Sequence, residues 1–102
     1  MIKHIVLWKL KEPDASDSKE DYANQIKQEL EALPKVIPAL HSLEVGININ
    51  PSEAADDVVL VTSFQRASDL DAYQIHPAHQ AAAAVIRNLV SSRRVVDFET
   101  LL

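Results

Sequence analysis

Two short segments of this chain are apolar on both faces, and nothing else in the sequence constrains the fold as strongly. From Ile2 to Leu10, the set Ile2, Val6 and Trp8 alternates with Ile5 and Leu7, and His4 shares the first face. From Asp57 to Gln65, Val58, Leu60 and Phe64 alternate with Val59 and Val61. Strand side chains point to opposite faces in turn, so both segments read as strands that must be covered on two sides.

The rest of the chain supplies cover for one side only. Lys11 to Ser16 reads as a polar loop, and Asp17 with Glu20 three residues later reads as a capping box opening a helix. In that helix Tyr22, Ile26, Leu30 and Leu33 form one apolar stripe. Pro34 and Pro38 close it, and a second strand follows in which Leu43, Val45, Ile47 and Ile49 alternate with Ser42, Glu44, Gly46 and Asn48. Asn50 to Asp56 is a polar loop. Ser68 with Asp71 caps a short second helix through Leu70 and Tyr73, a further helix runs from Pro77 to about Leu89 with Ala81, Val85 and Leu89 in line, and Val95 to Leu102 closes as a fourth strand.

The order β-α-β-β-α-β is the split βαβ pattern of an α+β, ferredoxin-like sandwich, expected here as one domain over residues 1–102. Helices in such a sandwich cover one face of an antiparallel sheet and leave the other to alternate toward polar residues. Because the first and third strands are apolar on that side too, a second copy of the chain is the economical cover. The expectation is a homodimer whose two sheets close into a dimeric α/β barrel.

Composition narrows the functional classes. Fifteen Asp and Glu against ten Lys and Arg give a net charge of −5, and the basic residues are scattered apart from Arg93-Arg94, which argues against nucleic acid as a partner. With no cysteine there is no thiol nucleophile, disulfide framework or cysteine zinc site. No segment approaches the roughly 20 apolar residues of a membrane helix, and the N-terminal residues lack a signal-peptide pattern, so the expected location is the cytoplasm, away from membranes. No glycine-rich phosphate loop occurs, and no cofactor is expected.

Chemistry concentrates in Tyr73-Gln74-Ile75-His76-Pro77-Ala78-His79. Pro77 disfavours the helical conformation at His76 and suits the first position of a new helix, so one helix should stop near Ile75, His76 should be an N-cap and His79 should stand in the next first turn. Burial and the positive helix end both favour neutral imidazole there, able to act as a base. His79 reads either as such a base or as a packed histidine donating to a backbone carbonyl. Tyr73 reads as a hydrogen-bonding orienter or a core aromatic, and His4 as pocket lining or core. Three histidines without a placed carboxylate make a poor transition-metal site, and no metal is expected. His41 is expected to be solvated, and Asp97 to pair with Arg93 or Arg94 of a neighbouring strand or subunit. Asp14, Asp17, Glu20 and Asp21 read as loop and cap residues.

Several motifs together resemble the stress-responsive α/β-barrel (Dabb) domain family: Ile2-Lys3-His4-Ile5-Val6, Ile37-Pro38-Ala39-Leu40, Val45-Gly46, Phe64, Tyr73 with His76-Pro77-Ala78-His79, and Val96-Asp97-Phe98-Glu99. The resemblance spans nearly the whole chain and implies a dimeric ferredoxin-like barrel. The family includes stress-induced proteins and a plant branch of polyketide cyclases with a pocket between helices and sheet. Aligned with that branch, catalytic roles fall on His79 and Tyr73, and the pocket wall on His4, Val6, Trp8, Ile26, Leu30, Leu60 and Val85 or its neighbours, with His76 beside it. Some members also hold a cation on backbone carbonyls, here near Lys35, Val36 and Ile37. One polar residue of the cyclase third strand corresponds to apolar Val58. The implied function is binding of a hydrophobic small molecule, with cyclase- or isomerase-like acid/base chemistry; the alternatives are a non-enzymatic stress-response protein and a cofactor-free monooxygenase-like barrel.

Overall fold

The computed structural model describes residues 1–14 and 16–101; Ala15, within the expected first loop, and Leu102, the end of the expected fourth strand, lie outside the described residues. Eight elements follow one another: β1 (Ile2–Leu10), α1 (Lys19–Glu31), a 3-10 turn (Leu33–Lys35), β2 (Ser42–Ile47), β3 (Val58–Phe64), α2 (Ala67–Ile75), α3 (Pro77–Arg87) and β4 (Val90–Glu99). The strands form one antiparallel sheet in the order β2-β3-β1-β4. β1 and β2 are joined through α1 with β3 inserted between them, which is the ferredoxin-like arrangement read from the element order.

Strand register sorts the sheet into rows. On the helix side, Leu43, Thr62, His4 and Asp97 form one row, Val45, Leu60, Val6 and Val95 a second, and Ile47, Val58, Trp8 and Arg93 a third. The middle of each row is sealed by helices, with Val6, Leu60 and Val58 at 1–2% exposure, while Val95 on the β4 edge is 45% exposed. The opposite side carries Gly46, Val59, Leu7 and Arg94, then Glu44, Val61, Ile5 and Val96. Among the described residues no helix covers it: Ile5, Leu7, Val59 and Val61 are half-buried, and Val96 and Phe98 are exposed. Gly46 has a steric reason on this face, because a Cβ there would come within 2.9 Å of Val59 Cγ1.

Local boundaries moved where tertiary pairing overruled local signals. The α1 capping box uses Ser18 and Asp21 in place of Asp17 and Glu20: Ser18 Oγ accepts from the Asp21 amide at 3.1 Å, and Asp21 Oδ2 accepts from the Ser18 amide at 2.9 Å. Asp17 is taken up by the preceding turn, its amide donating to the Asp14 carbonyl. The expected Ser68–Asp71 cap is absent; α2 starts three residues after Phe64 ends its strand, with Arg66 as an N-cap that makes no side-chain capping hydrogen bond. β2 stops at Ile47, opposite the first residue of β3, and leaves Ile49 97% exposed. α3 ends at Arg87 and buries Ala82 and Ile86, so its core face is turned one residue from the expected Ala81–Val85–Leu89 line. β4 begins five residues earlier than expected because β1 pairs along nearly its whole length, from Ile2 opposite Glu99 to Leu10 opposite Val90.

Candidate functional site

The junction between α2 and α3 forms as Pro77 dictates. His76 is extended at φ −64° and ψ 135°, closes α2 and caps α3, its Nδ1 accepting from the Ala78 amide at 3.0 Å. An acceptor nitrogen carries no proton, so His76 is committed to its cap. His79 sits in the first turn of α3, and its Nδ1 lies 3.1 Å from the Gln74 carbonyl. A carbonyl can only accept, so Nδ1 carries the hydrogen and neutral His79 keeps its lone pair on Nε2. Burial pushes the His79 pKa below its ordinary 6.5; the Gln74 bond opposes this, and the charges of His4, Arg93 and His76 reinforce it.

Behind His79 lies Tyr73, fully buried, with ring centroids 4.5 Å from His79, 5.2 Å from Phe64 and 6.4 Å from His4. Its hydroxyl has no hydrogen-bond partner among the described residues. Burial drives its pKa up to about 12 against the opposing Arg93 charge, so the phenol is a donor throughout the neutral range.

Across the sheet, His4 is 2% exposed and its Nδ1 lies 2.5 Å from Asp97 Oδ1. A carboxylate accepts, so the hydrogen again sits on Nδ1 and Nε2 is left as the free nitrogen. Within one chain, Asp97 thus pairs with His4 and not with the expected Arg93 or Arg94. Arg94 points to the other face and binds Asp56 at 2.8 Å, while Arg93 is four residues along the same strand, about 13 Å from Asp97 at the rise of extended chain.

Between α1, α3 and the sheet is a cavity of about 560 Å³. His4, Val6, Trp8 and Leu60 line it from the sheet, Leu30 from α1, and His79 from α3. Of the residues expected at the site, Tyr73, Ile26 and His76 are not on its wall. Tyr73 stands one ring behind His79, Ile26 is fully buried in the core, and His76 is held at its cap. Val85 is replaced by its neighbours Ala83 and Ile86.

Sequence reasoning missed Arg87, Val90, Ser91, Ser92 and Arg93 on that wall. One signal was present: His79, Ala83 and Arg87 are spaced by four, hence on one helix face. Ala83 belongs to the run Ala81–Ala84, whose small side chains leave room beside the helix. Among the described residues no three His, Cys, Asp or Glu side chains converge as metal ligands. None of the helices in the described residues is long and apolar enough to cross a membrane.

Comparison with known proteins agrees with the fold. A family described as Stress responsive A/B Barrel Domain (Dabb) matches residues 2–100. The chain is similar to a dimeric protein of ferredoxin-like fold from Bacteroides fragilis NCTC 9343, with 36% identity over 97% of this chain and 95% of that one and a TM-score of 0.86. It is also similar to a dimeric ferredoxin-like protein from Thermobifida fusca YX, with 29% identity, coverage of 97% and 90%, and a TM-score of 0.82. A hydroxynitrile lyase from Passiflora edulis shares the fold at 17% identity, coverage of 95% and 90%, and a TM-score of 0.78. No curated protein matches the sequence.

Proposed function

The chain belongs to the stress responsive A/B barrel domain family, and from that premise we propose that it binds a hydrophobic small molecule between its helices and sheet and carries out proton transfer on it. The cavity of about 560 Å³ with His79 on its wall is the observation that carries this reading. That volume lies within the roughly 300–1,000 Å³ typical of small-molecule pockets.

In this reading His79 Nε2 is the base. It removes a proton from a carbon next to a substrate carbonyl; the C–H electron pair passes into an enolate and His79 becomes imidazolium. Returning the proton to another carbon gives an isomer; attack of the enolate carbon on a second carbonyl of the substrate closes a ring, and the imidazolium proton passes to the new alkoxide oxygen. The Gln74 carbonyl holds the imidazole in the required tautomer, and Tyr73 packs behind it as a positioning residue. His4, oriented by Asp97, faces the same cavity and supplies a second imidazole for proton return. The lyase of similar fold from Passiflora edulis supports a reactive site on such a scaffold.

A second copy of the chain belongs to this reading, on the open face of the sheet where Val96 and Phe98 are exposed beside half-buried Ile5, Leu7, Val59 and Val61. The dimeric relatives from Bacteroides fragilis and Thermobifida fusca support it.

Deuterium uptake by phenylacetone in D2O, followed by proton NMR, tests the chemistry. The native protein should speed exchange at the carbon next to the carbonyl above buffer, and His79→Ala should return it to the buffer rate. Exchange unchanged by that substitution removes His79 from the mechanism.

A further inference from the structure

The cavity wall has a charge bias that its apolar floor does not explain. Among the described residues its lining contains two guanidinium groups, Arg87 and Arg93, and no carboxylate, in a chain where acids outnumber bases fifteen to ten. Neither arginine is in an ion pair among the described residues. On or beside the same sheet, Asp97 is engaged with His4 and Asp56 with Arg94.

The two arginines reach the mouth from different elements. Arg87 is two helical steps beyond His79 on the same face of α3, while Arg93 stands on β4 directly opposite Trp8, on the helix side of the sheet. Arg87 in the last turn of α3 also complements the negative end of that helix. Arg93 has no such local role. Ser91 lines the same wall with its hydroxyl already donating to the Lys9 carbonyl at 3.4 Å, and Ser92, opposite Lys9, turns its side chain to the other face of the sheet, so the guanidinium groups are the free donors there. A planar guanidinium with two parallel N–H groups matches the two oxygens of a carboxylate in bidentate fashion.

We propose that Arg93 and Arg87 form a carboxylate-binding rim, and that the ligand class of this cavity is an apolar molecule ending in a carboxylate. The inference rests on the small-molecule reading above and narrows it: the hydrocarbon body lies over Val6, Trp8 and Leu60, and the acid head meets the guanidinium groups at the mouth. The Arg93 charge also acts on His79 and Tyr73, lowering the pKa of each, so it reaches the groups where an enolate would form.

Trp8 lines the cavity and is the chain's one tryptophan, so its emission reports occupancy directly. The test titrates octanoate and 1-octanol, equal in chain length and different in head group, into the full-length protein at low salt, by Trp8 fluorescence and calorimetry. Octanoate should bind about tenfold more tightly than octanol, and Arg93→Gln should remove most of that ratio, with Arg93→Lys restoring part of it. Arg87→Gln, on a separate element, should reduce the ratio as well, which guards against a local defect in β4. Equal binding of the two probes, or a ratio indifferent to both arginines, overturns the carboxylate rim and leaves the cavity reading standing. Failure of both probes to bind overturns both.

Discussion

His4 Nδ1 meets Asp97 Oδ1 at 2.5 Å across the β1–β4 pairing, joining a histidine that is 2% exposed to an edge carboxylate whose side chain is 45% exposed. The buried imidazole is thereby held in one tautomer from the sheet's rim. Replacing Asp97 with Ala strands the Nδ1 hydrogen in the interior, and the unmet donor should cost about 1–3 kcal/mol. Asp97→Asn keeps a side-chain carbonyl acceptor and should recover part of this loss. Urea unfolding of the three proteins checks the order, and an Ala variant as stable as the native chain contradicts it.

His79 gives a pH signature whose sign follows from its environment. Burial lowers its pKa below 6.5, so the unfolded chain binds the proton first as pH falls. The stability associated with neutral His79 is complete above 6.5 and declines as pH drops from there toward the folded-state value. Any activity that needs the neutral base has its acid limb below 6.5 as well. Proton NMR titration of the His79 ring should show this midpoint, and Arg93→Gln, which removes a charge that depresses it, should move it upward.

Tyr73 carries a buried hydroxyl that meets no partner among the described residues. Losing that group relieves a desolvation cost, so Tyr73→Phe should raise stability by about 1 kcal/mol, with the ring contacts to Phe64 and His79 preserved. Denaturant unfolding measures it. A loss of about 1 kcal/mol or more would show that the hydroxyl is satisfied in solution.

Ala83 keeps the cavity open from the α3 side. Ala83→Phe should fill that space and abolish the Trp8 response to octanol and octanoate, while the thermal midpoint stays within a few degrees of the native value. Unchanged binding would place the ligand elsewhere.

Val96 and Phe98 are 56% and 43% exposed on the open face of the sheet. Burying such side chains against a second copy contributes about 1.5–3 kcal/mol for each. The native protein should therefore sediment as a dimer at micromolar concentration, and the double change Val96→Asp, Phe98→Asp as a monomer. A monomeric native chain excludes the barrel dimer.

The amino-acid sequence by itself determined what depends on neighbours along the chain. Period-two apolar runs specified β1 and β3 because a pleated strand alternates its faces, and Pro77 specified the α2–α3 break and the His76 cap because its ring acts on the residue before it. His4 was placed on the helix side by strand parity alone. Tertiary structure decided what depends on pairing between distant segments. Asp97 found His4, ninety-three residues away, because the β1–β4 register sets them opposite each other. The same register put Arg93 beside Trp8 at the cavity mouth, and it extended β4 back through a polar stretch that local propensity does not mark as a strand. Tyr73 and His79 were legible as chemistry-bearing residues, yet only helix packing placed one on the cavity wall and the other behind it, because backbone periodicity fixes a face and not the depth of what lies against it.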